Sequence, residues 1–297
     1  MKIGLAGTGR MGTAIAQRLL AAGHEVRAWN RTAKNARAAI DAGARWTPTL
    51  AELVNESVIV ISFLLDNAAV ERVYLGSEGL LAGPVEGRLF IDMSTVSPGT
   101  HGRIAAAIAS REAAFIECPV SGSVASARSG ALVGFAGGDA AVIARAQPVL
   151  GQLCRRVERA GPLGAGARMK LAANLLLTVF WQALGEALLV ADPADGDAAR
   201  TLDVLADSNI GATILRARGA EIVAALDGAT LPPATFDVDT MRKDLRYMSE
   251  EAALLGGSLP LASRTLECLD GASRAGGGHV DGVAYPAYWL GRQKAAA

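Results

Sequence analysis

The stretch MKIGLAGTGRMG (residues 1–12) decides the fold, because an apolar run leads directly into glycines spaced as G-x-G-x-x-G. The segment Lys2–Gly7 has the composition of a buried strand, and Met11–Ala22 has the apolar periodicity of a helix. Glycines between a strand and a helix allow a tight turn, close approach of a pyrophosphate and close packing of helix on strand. This context predicts a βαβ unit that binds a dinucleotide.

Further strands and helices alternate along the first half of the chain. Near-continuous apolar strands such as VIVISFLL indicate a largely parallel sheet that is covered on both faces. The predicted strands are Lys2–Gly7, Glu25–Asn30, Ser57–Leu65, Arg88–Ser94, Ala114–Val120, Leu132–Gly137 and Arg155–Arg159. The predicted helices between them are Met11–Ala22, Leu50–Asn55, Asn67–Tyr74, Pro98–Ser110 and Asp139–Leu150.

The pattern changes after Gly161. One long helix, apolar nearly all round, is predicted from Leu163 to about Val190, and no convincing strand follows it. Later helices are predicted at Asp197–Asp207, Ala212–Ala225, Val238–Leu255 and Leu261–Ala275, with Gly- and Pro-bearing breaks between them. We therefore predict an α/β fold with a Rossmann-type, mostly parallel sheet domain (residues 1–161). A long interdomain helix and an all-α domain follow (162–297).

Composition excludes several classes of protein. The chain has 297 residues, of which 51% are hydrophobic and 20% charged, so it is not disordered. Its 29 basic and 29 acidic side chains balance, which argues against nucleic-acid binding through a broad basic field. Three cysteines and three histidines, all far apart, indicate neither a disulfide framework nor a metal site. Without a signal segment or a membrane span, we expect a cytoplasmic protein.

The glycine loop is the most specific of the motifs. Its context after a strand and before a helix favours a cofactor site over a turn that binds nothing. The predicted cofactor contacts in this loop are Gly7, Gly9, Arg10, Met11 and Gly12.

The end of the second predicted strand indicates which dinucleotide binds. NAD-preferring sites carry Asp or Glu about 20 residues past the glycines, and this chain has Asn30 there. Asn30 does not repel a 2′-phosphate, Arg31 is able to grip one, and Thr32 adds a hydroxyl. The alternative for Arg31 is a solvated surface arginine. We predict NADP(H), with NAD(H) possible.

Lys170 is the candidate proton donor. Only five of the 29 basic residues are lysines, which suggests that a lysine here is kept for its titratable amine. Burial on an apolar helix lowers a lysine pKa toward the range useful for proton transfer. Asn174 lies at i+4, on the same side of that helix. The alternative is a lysine that extends to solvent from the start of the helix.

Three further segments complete the pattern. Asp92-Met93-Ser94-Thr95 ends a predicted strand, and Lys243 precedes Asp244 on a later helix. In the loop at Ser121, Gly122 and Ser123, a carboxylate is able to approach backbone N–H groups and hydroxyls.

In these motifs the chain resembles the β-hydroxyacid dehydrogenase family, which includes 3-hydroxyisobutyrate dehydrogenase and tartronate semialdehyde reductase. The resemblance covers essentially the whole chain. It implies catalysis by Lys170 with Asn174, and reversible hydride transfer between a nicotinamide and a small β-hydroxy acid, semialdehyde or glyoxylate-like keto acid. It further implies substrate contacts at Ser121, Gly122, Ser123 and Asn174, cofactor contacts at Leu64, Thr95 and Lys243, and a homodimer or homotetramer.

The chain departs from the family pattern twice. Ser123 stands where the substrate loop usually has a second glycine, and Ala173 stands where the helix usually has a first asparagine. Both departures concern the substrate, so the sequence does not identify the acid. Two rival functions stay open: an imine reductase on the same fold, and a catalytically silent NADPH-binding sensor.

Overall fold

A computed structural model describes residues 1–191, 197–208 and 213–296 of the chain. By its internal contacts the chain divides into two compact units, Met1–Ala173 and Asn174–Ala297. The first unit is built on a mostly parallel sheet, and the second consists of helices in its described part. The predicted fold class is confirmed.

The strands of the first unit form one sheet in the order β3-β2-β1-β4-β5-β6-β8-β7, with β9 paired to β8. Neighbours from β3 to β6 are parallel, whereas β8 is antiparallel to β6 and β7. The strands are β1 (Lys2–Ala6), β2 (Glu25–Trp29), β3 (Arg45–Trp46), β4 (Ile59–Ser62), β5 (Leu89–Asp92), β6 (Ala114–Glu117), β7 (Val120–Ser121), β8 (Leu132–Gly137) and β9 (Cys154–Gly161).

Both faces of the sheet are buried, which explains why the central strands are apolar throughout. In β4, Ile59 and Ile61 join one hydrophobic cluster, and Val60 between them joins the cluster on the other face. In β5, Ile91 and Phe90 separate in the same way. Successive side chains of a strand point to opposite faces. In a strand that is covered on both faces, polar and apolar residues therefore do not alternate.

Helices cover the sheet. The helices of the first unit are α1 (Arg10–Ala21), α2 (Arg37–Asp41), α3 (Leu50–Asn55), α4 (Asn67–Leu75), α5 (Pro98–Ile108), α6 (Val124–Ser129) and α7 (Ala140–Leu153). The starts of α3, α4, α6 and α7 are capped by side chains that accept hydrogen bonds from backbone N–H groups. The capping residues are Thr49, Asp66, Ser123 and Asp139.

The long helix α8 (Ala165–Ala191) begins in the first unit and continues into the second. The later helices are α9 (Ala198–Asp207), α10 (Thr213–Leu226), α11 (Val238–Leu254), α12 (Pro260–Ala272) and α13 (Tyr285–Ala296). Trp181 of α8 is buried, and Tyr285 donates a hydrogen bond to Gln182 Oε1 at 2.9 Å. The tryptophan is therefore part of the core of the second unit. In the described residues, no helix has the length and apolarity needed to cross a bilayer.

The strands and helices differ from the sequence prediction in a few places. The predicted strand Ala114–Val120 is broken after Glu117, because Pro119 has no N–H to donate and its carbonyl accepts from Phe135 N. The short elements β3, α2 and α6, and the terminal helix α13, were missed. The predicted start of a helix at Ala212 lies outside the described residues.

Candidate functional site

Two glycines of the loop after β1 are required by packing within the protein. Gly7 has φ +100°, and a Cβ on it would overlap the carbonyl oxygen of Phe63. A Cβ on Gly12, in the first turn of α1, would overlap the carbonyl oxygen of Gly7. Both positions therefore let α1 and the loop after β4 approach the end of β1.

Gly9 differs from its neighbours, since packing within the protein does not require it to be glycine. It is exposed, and a Cβ on it would meet no described protein atom within 4 Å. The helix that follows has no side-chain cap and no acidic residue in its first turn. An uncapped helix start with open space in front of it suits an anion such as a pyrophosphate. The loop thus fits a dinucleotide, with Arg10 and Met11 opening the helix.

Asn30 connects the glycine loop to the end of β2. Its Oδ1 accepts from Thr8 N at 3.2 Å, and its Nδ2 donates to the carbonyl of Thr32 at 3.0 Å. Sequence reasoning treated Asn30 only as a residue that tolerates a 2′-phosphate, and missed this structural role. Arg31 and Thr32 are exposed immediately beyond it, at the carboxyl end of β2.

The predicted cofactor residues Leu64 and Thr95 follow neighbouring strands of the same sheet. The backbone N–H of Leu64 donates to Ser94 Oγ at 2.8 Å, and Thr95 comes next in the chain. Leu64 also lies beside Gly7, where an added Cβ would come within 3.1 Å of its Cδ2. These residues therefore share the carboxyl edge of the parallel strands with the glycine loop, which is where open α/β sheets bind ligands.

The predicted substrate loop joins β7 to α6. Ser121 is half-buried at the end of β7, and Gly122 has φ +142°. Ser123 caps α6, because its Oγ accepts from Ser126 N at 3.2 Å. This capping role accounts for a serine where the family pattern has glycine. It also competes with the substrate contact predicted for Ser123.

Lys170 and Asn174 lie one turn apart on α8, and both are buried. Asn174 Nδ2 donates to Asp244 Oδ2 at 2.7 Å. Asp244, itself buried, pairs through Oδ1 with Lys243 Nζ at 2.9 Å. Lys243 also lies over the ring of Tyr247. Asp244 is thus the residue that orients the predicted asparagine, and its signal in the sequence is a carboxylate on the buried face of α11.

A buried ionic network at the carboxyl ends of β5 and β6 was not predicted. Asp92 and Glu117 are direct neighbours in the parallel register, and both are fully buried. His101 lies between them, with Nε2 at 2.7 Å from Asp92 Oδ2 and Nδ1 paired to Glu117 Oε2. Ser62 and Ser94 donate to Asp92 Oδ1 at 2.5 and 2.7 Å. Acidic residues that end two apolar strands were the signal available in the sequence.

The network determines the charge of His101. Burial alone would lower the pKa of this imidazole, but hydrogen bonds and charge interactions with Asp92 and Glu117 outweigh burial and raise the pKa to about 9. His101 is therefore an imidazolium at neutral pH. Its single positive charge is shared by two carboxylates that have no access to water, and offsets one of their two negative charges.

Family models match both halves of the chain. The NAD binding domain of 6-phosphogluconate dehydrogenase matches residues 2–161. The NAD-binding domain of NADP-dependent 3-hydroxyisobutyrate dehydrogenase matches residues 164–288.

Curated relatives agree with these matches. Glyoxylate/succinic semialdehyde reductase 1 of Arabidopsis thaliana is 31% identical over 95% of this chain and 96% of its own. The 3-hydroxyisobutyrate dehydrogenase of Pseudomonas aeruginosa is 32% identical, with 88% of each chain covered. The chain belongs to the β-hydroxyacid dehydrogenase family, and it is an NAD(P)-dependent oxidoreductase that acts on hydroxyl groups.

Solved structures show the same fold. A 3-hydroxyisobutyrate dehydrogenase from Salmonella typhimurium superposes with a TM-score of 0.85 at 26% identity, covering 96% of this chain and 99% of its own. A reductive aminase from Aspergillus terreus in complex with NADPH gives a TM-score of 0.63 at 23% identity, with 97% and 99% covered. The second likeness shows the fold alone.

Substitution of Gly9 should weaken cofactor binding, whereas substitution of Gly12, which is required by packing, should lower stability. Gly9→Ala should fold normally but weaken binding of the dinucleotide at least about tenfold, because its Cβ occupies the space open to the pyrophosphate. Gly12→Ala should lower the melting temperature, because α1 must move away from Gly7. Calorimetry and cofactor titration measure the two effects. Unchanged cofactor affinity in Gly9→Ala would contradict the assignment of the loop.

The His101 network predicts a pH dependence of stability. Because the folded pKa lies above the unfolded value of about 6.5, its contribution is complete below that pH and is lost as pH rises through about 9. The loss is on the order of 3 kcal/mol in the free energy of unfolding. Denaturant titrations from about pH 6 to 10 should show this decline in the wild type and in the control His24→Gln. The decline should be absent in His101→Gln, and its persistence there would refute the assignment.

Proposed function

We propose that the chain catalyses reversible, NADP(H)-dependent hydride transfer between the nicotinamide and a small β-hydroxy acid, semialdehyde or glyoxylate-like keto acid. Three observations support the proposal: the buried Lys170, the loop at Ser121, and the activities named for the relatives. The cytoplasmic location predicted from the sequence stays a prediction.

Lys170 carries the proposal. Lys170 is only 9% exposed, and it lies near the start of the long, largely apolar helix α8. Lysine is seldom buried to this extent in proteins, so Lys170 is a candidate for a role that uses its amine. A bound nicotinamide would supply or accept the hydride. Lys170 gives its proton to the carbonyl oxygen as the alcohol forms, and takes the hydroxyl proton in the reverse direction.

Asn174 is proposed to bind the reacting oxygen or to hold Lys170. Its amide is oriented by the hydrogen bond to Asp244, whose second oxygen pairs with Lys243. An amide whose rotamer is held by a buried carboxylate keeps one orientation through the reaction, which limits the reorganisation needed in the transition state. Lys243, which is paired with Asp244, is proposed to contact the cofactor.

The substrate carboxylate is proposed to bind at Ser121 and Gly122. Gly122 is required by packing within the protein, since its φ is +142° and a Cβ on it would lie 2.7 Å from Leu132 Cδ2. The loop is therefore proposed as the substrate site on the half-buried Ser121 and on the resemblance to the family. Ser123 is exposed and also caps α6, so a contact with substrate would use the hydroxyl that already accepts from Ser126 N. Because Ser123 and Ala173 depart from the family pattern, we expect these two positions to make the substrate range differ from that of relatives.

The preference for NADP(H) is proposed from the end of β2. Asn30 has its amide engaged with the glycine loop and with Thr32, so this position offers no carboxylate to repel a ribose 2′-phosphate. Arg31 and Thr32 are exposed beside it and are accessible to a ligand. A guanidinium makes charge-assisted, bidentate contacts with phosphate.

The chain is also proposed to form a homodimer or homotetramer through α8. One stripe of this helix is apolar and exposed, and it recurs at helical spacing. The stripe consists of Met169, Ala172, Leu176, Ala183 and Ala187. Leu176 is 75% exposed, which is unusual for a leucine in the middle of a long apolar helix.

Lys170→Met tests the catalytic proposal. The variant should fold and bind NADPH, but turnover of small semialdehydes, followed at the nicotinamide absorbance, should drop roughly 100- to 10,000-fold. Lys170→Arg should also be poor, because a guanidinium does not deprotonate. The wild-type rate of alcohol oxidation should rise with pH, and that rise should vanish in Lys170→Met.

Lys2→Met, at the exposed start of β1, is the matched control and should keep full activity. Near-normal turnover in Lys170→Met with cofactor bound would assign the proton donor elsewhere. Absence of turnover of semialdehydes and hydroxy acids by the wild type would instead reopen the imine reductase and sensor functions. Turnover of cyclic imines, with none of hydroxy acids, would decide between those two.

Arg31→Ala tests the cofactor preference. Losing a charge-assisted contact costs about 1.5–3 kcal/mol, so KM for NADPH should rise about 10- to 150-fold while KM for NADH stays nearly unchanged. Arg37→Ala, which removes an exposed arginine paired with Asp41, is the control and should alter neither KM. A wild type that prefers NADH would overturn the argument.

Leu176→Asp tests the assembly. Light scattering should give a dimer or tetramer for the wild type and for the control Leu75→Asp, whose leucine is exposed at the end of α4. The mass of Leu176→Asp should fall toward that of the monomer, because a carboxylate on the stripe would be buried without a partner. A dilute, active wild-type monomer would contradict the proposal.

A further inference from the structure

The start of α8 is held by a residue far away in the sequence. The backbone N–H of Gly166, in the first turn of α8, donates to Glu117 Oε1 at 2.8 Å, and the contact is buried. In α7 the corresponding groups are capped by the adjacent Asp139, which accepts from Ala141 N and Val142 N. For α8 the carboxylate comes from the end of β6 instead, so this bond joins the helix to the sheet.

Two glycines make the contact possible. A Cβ on Gly166 would overlap the carbonyl oxygen of Phe135, and a Cβ on Gly137 would overlap Glu117 Oε1. Gly137 lies opposite Glu117 in the pairing of β6 with β8. The backbone of α8 therefore rests against the end of β8, with the carboxylate between them.

Glu117 has its other oxygen engaged as well. Oε2 pairs with His101 Nδ1, and the opposite ring nitrogen of His101 binds Asp92. Both carboxylates and the imidazole are fully buried, and the serines on Asp92 complete the chain of contacts. The orientation of Glu117 is consequently determined from both ends, by α8 and by the end of β5.

The position of Lys170 follows from this contact. Lys170 is four residues after Gly166, one turn further on the same side of α8 and about 6 Å along its axis. Both residues belong to the same compact unit as Glu117. A shift of the first turn therefore moves the Lys170 amine by a comparable distance.

From this geometry we infer that Glu117 is a positioning residue for Lys170: its hydrogen bond to Gly166 N sets the place of the amine, and His101 with Asp92 holds Glu117 in that orientation. The inference rests on the catalytic role proposed for Lys170. Misplacing a catalytic group by about 1 Å can cost on the order of 100-fold in rate.

A double-mutant cycle tests the inference. Glu117→Ala removes the acceptor for Gly166 N. With kcat normalised to the concentration of folded, cofactor-binding protein, the variant should lose about 10- to 100-fold in kcat. Its KM for NADPH should change less than about threefold. Glu117→Gln retains an oxygen that accepts from Gly166 N and should recover most of kcat. In a Lys170→Met background, Glu117→Ala should cause little further loss, since there is no amine left to position.

Asp139→Ala is the matched control, because it removes a cap from α7 and leaves α8 untouched; its kcat should equal that of the wild type. If Glu117→Ala does not fold, Glu117→Asp provides the same test, since it keeps the buried charge and withdraws the carboxylate by one methylene. Equal losses in the wild-type and Lys170→Met backgrounds, or a loss explained by the unfolded fraction, would overturn the inference. Near-normal turnover in Lys170→Met alone would instead reject the catalytic role proposed for Lys170.

Discussion

The arrangement of loops and helices at the carboxyl edge of the sheet depends on two adjacent carboxylates that are buried away from water. Asp92 and Glu117 end neighbouring parallel strands in register, with no solvent exposure. Left alone, two such charges would be strongly destabilising, and removing one partner of a buried pair typically costs about 3–5 kcal/mol. The His101 imidazolium offsets one of the two charges, while Ser94 and Gly166 donate hydrogen bonds to the remaining oxygens. Through Ser94 the network reaches the loop at Leu64, and through Gly166 it reaches α8.

The predicted site residues fall in both units of the chain. The first unit carries the glycine loop, the ends of β2, β4 and β5, and Lys170 at the start of α8. The second carries Asn174, which is tied to Asp244 and through it to Lys243. Gly166 in the first unit and Asn174 in the second are each held by a buried hydrogen bond to a carboxylate of the same unit. Such support keeps reacting groups in place before substrate arrives.

Periodicity and glycine spacing were enough to predict the sheet, the long helix and the glycine loop, because these depend on local pattern. Three of the missed elements, β3, α2 and α6, have six residues or fewer, which is too short for a periodic pattern, and α13 lacks an amphipathic pattern. Asn30 shows which part of the site could not be predicted. Its residue type indicated the cofactor preference, but its hydrogen bond to Thr8 N depends on two loops that approach each other in the fold. The buried ionic role of His101 could not be predicted for the same reason, since Asp92 and Glu117 are neighbours only in the folded sheet.

We propose that this chain transfers hydride to a small carbonyl acid while Lys170 supplies the proton. This proposal is tested by a single turnover with NADPH in which both hydrogens of C4 are deuterium, using a small semialdehyde such as succinic semialdehyde, with mass spectrometry of the product. We predict a hydroxy acid with one deuterium on the carbon that bears the hydroxyl group, formed by the wild type and nearly absent with Lys170→Met. Binding of the cofactor without any deuterium transfer, across a panel of small semialdehydes and keto acids, would contradict the account.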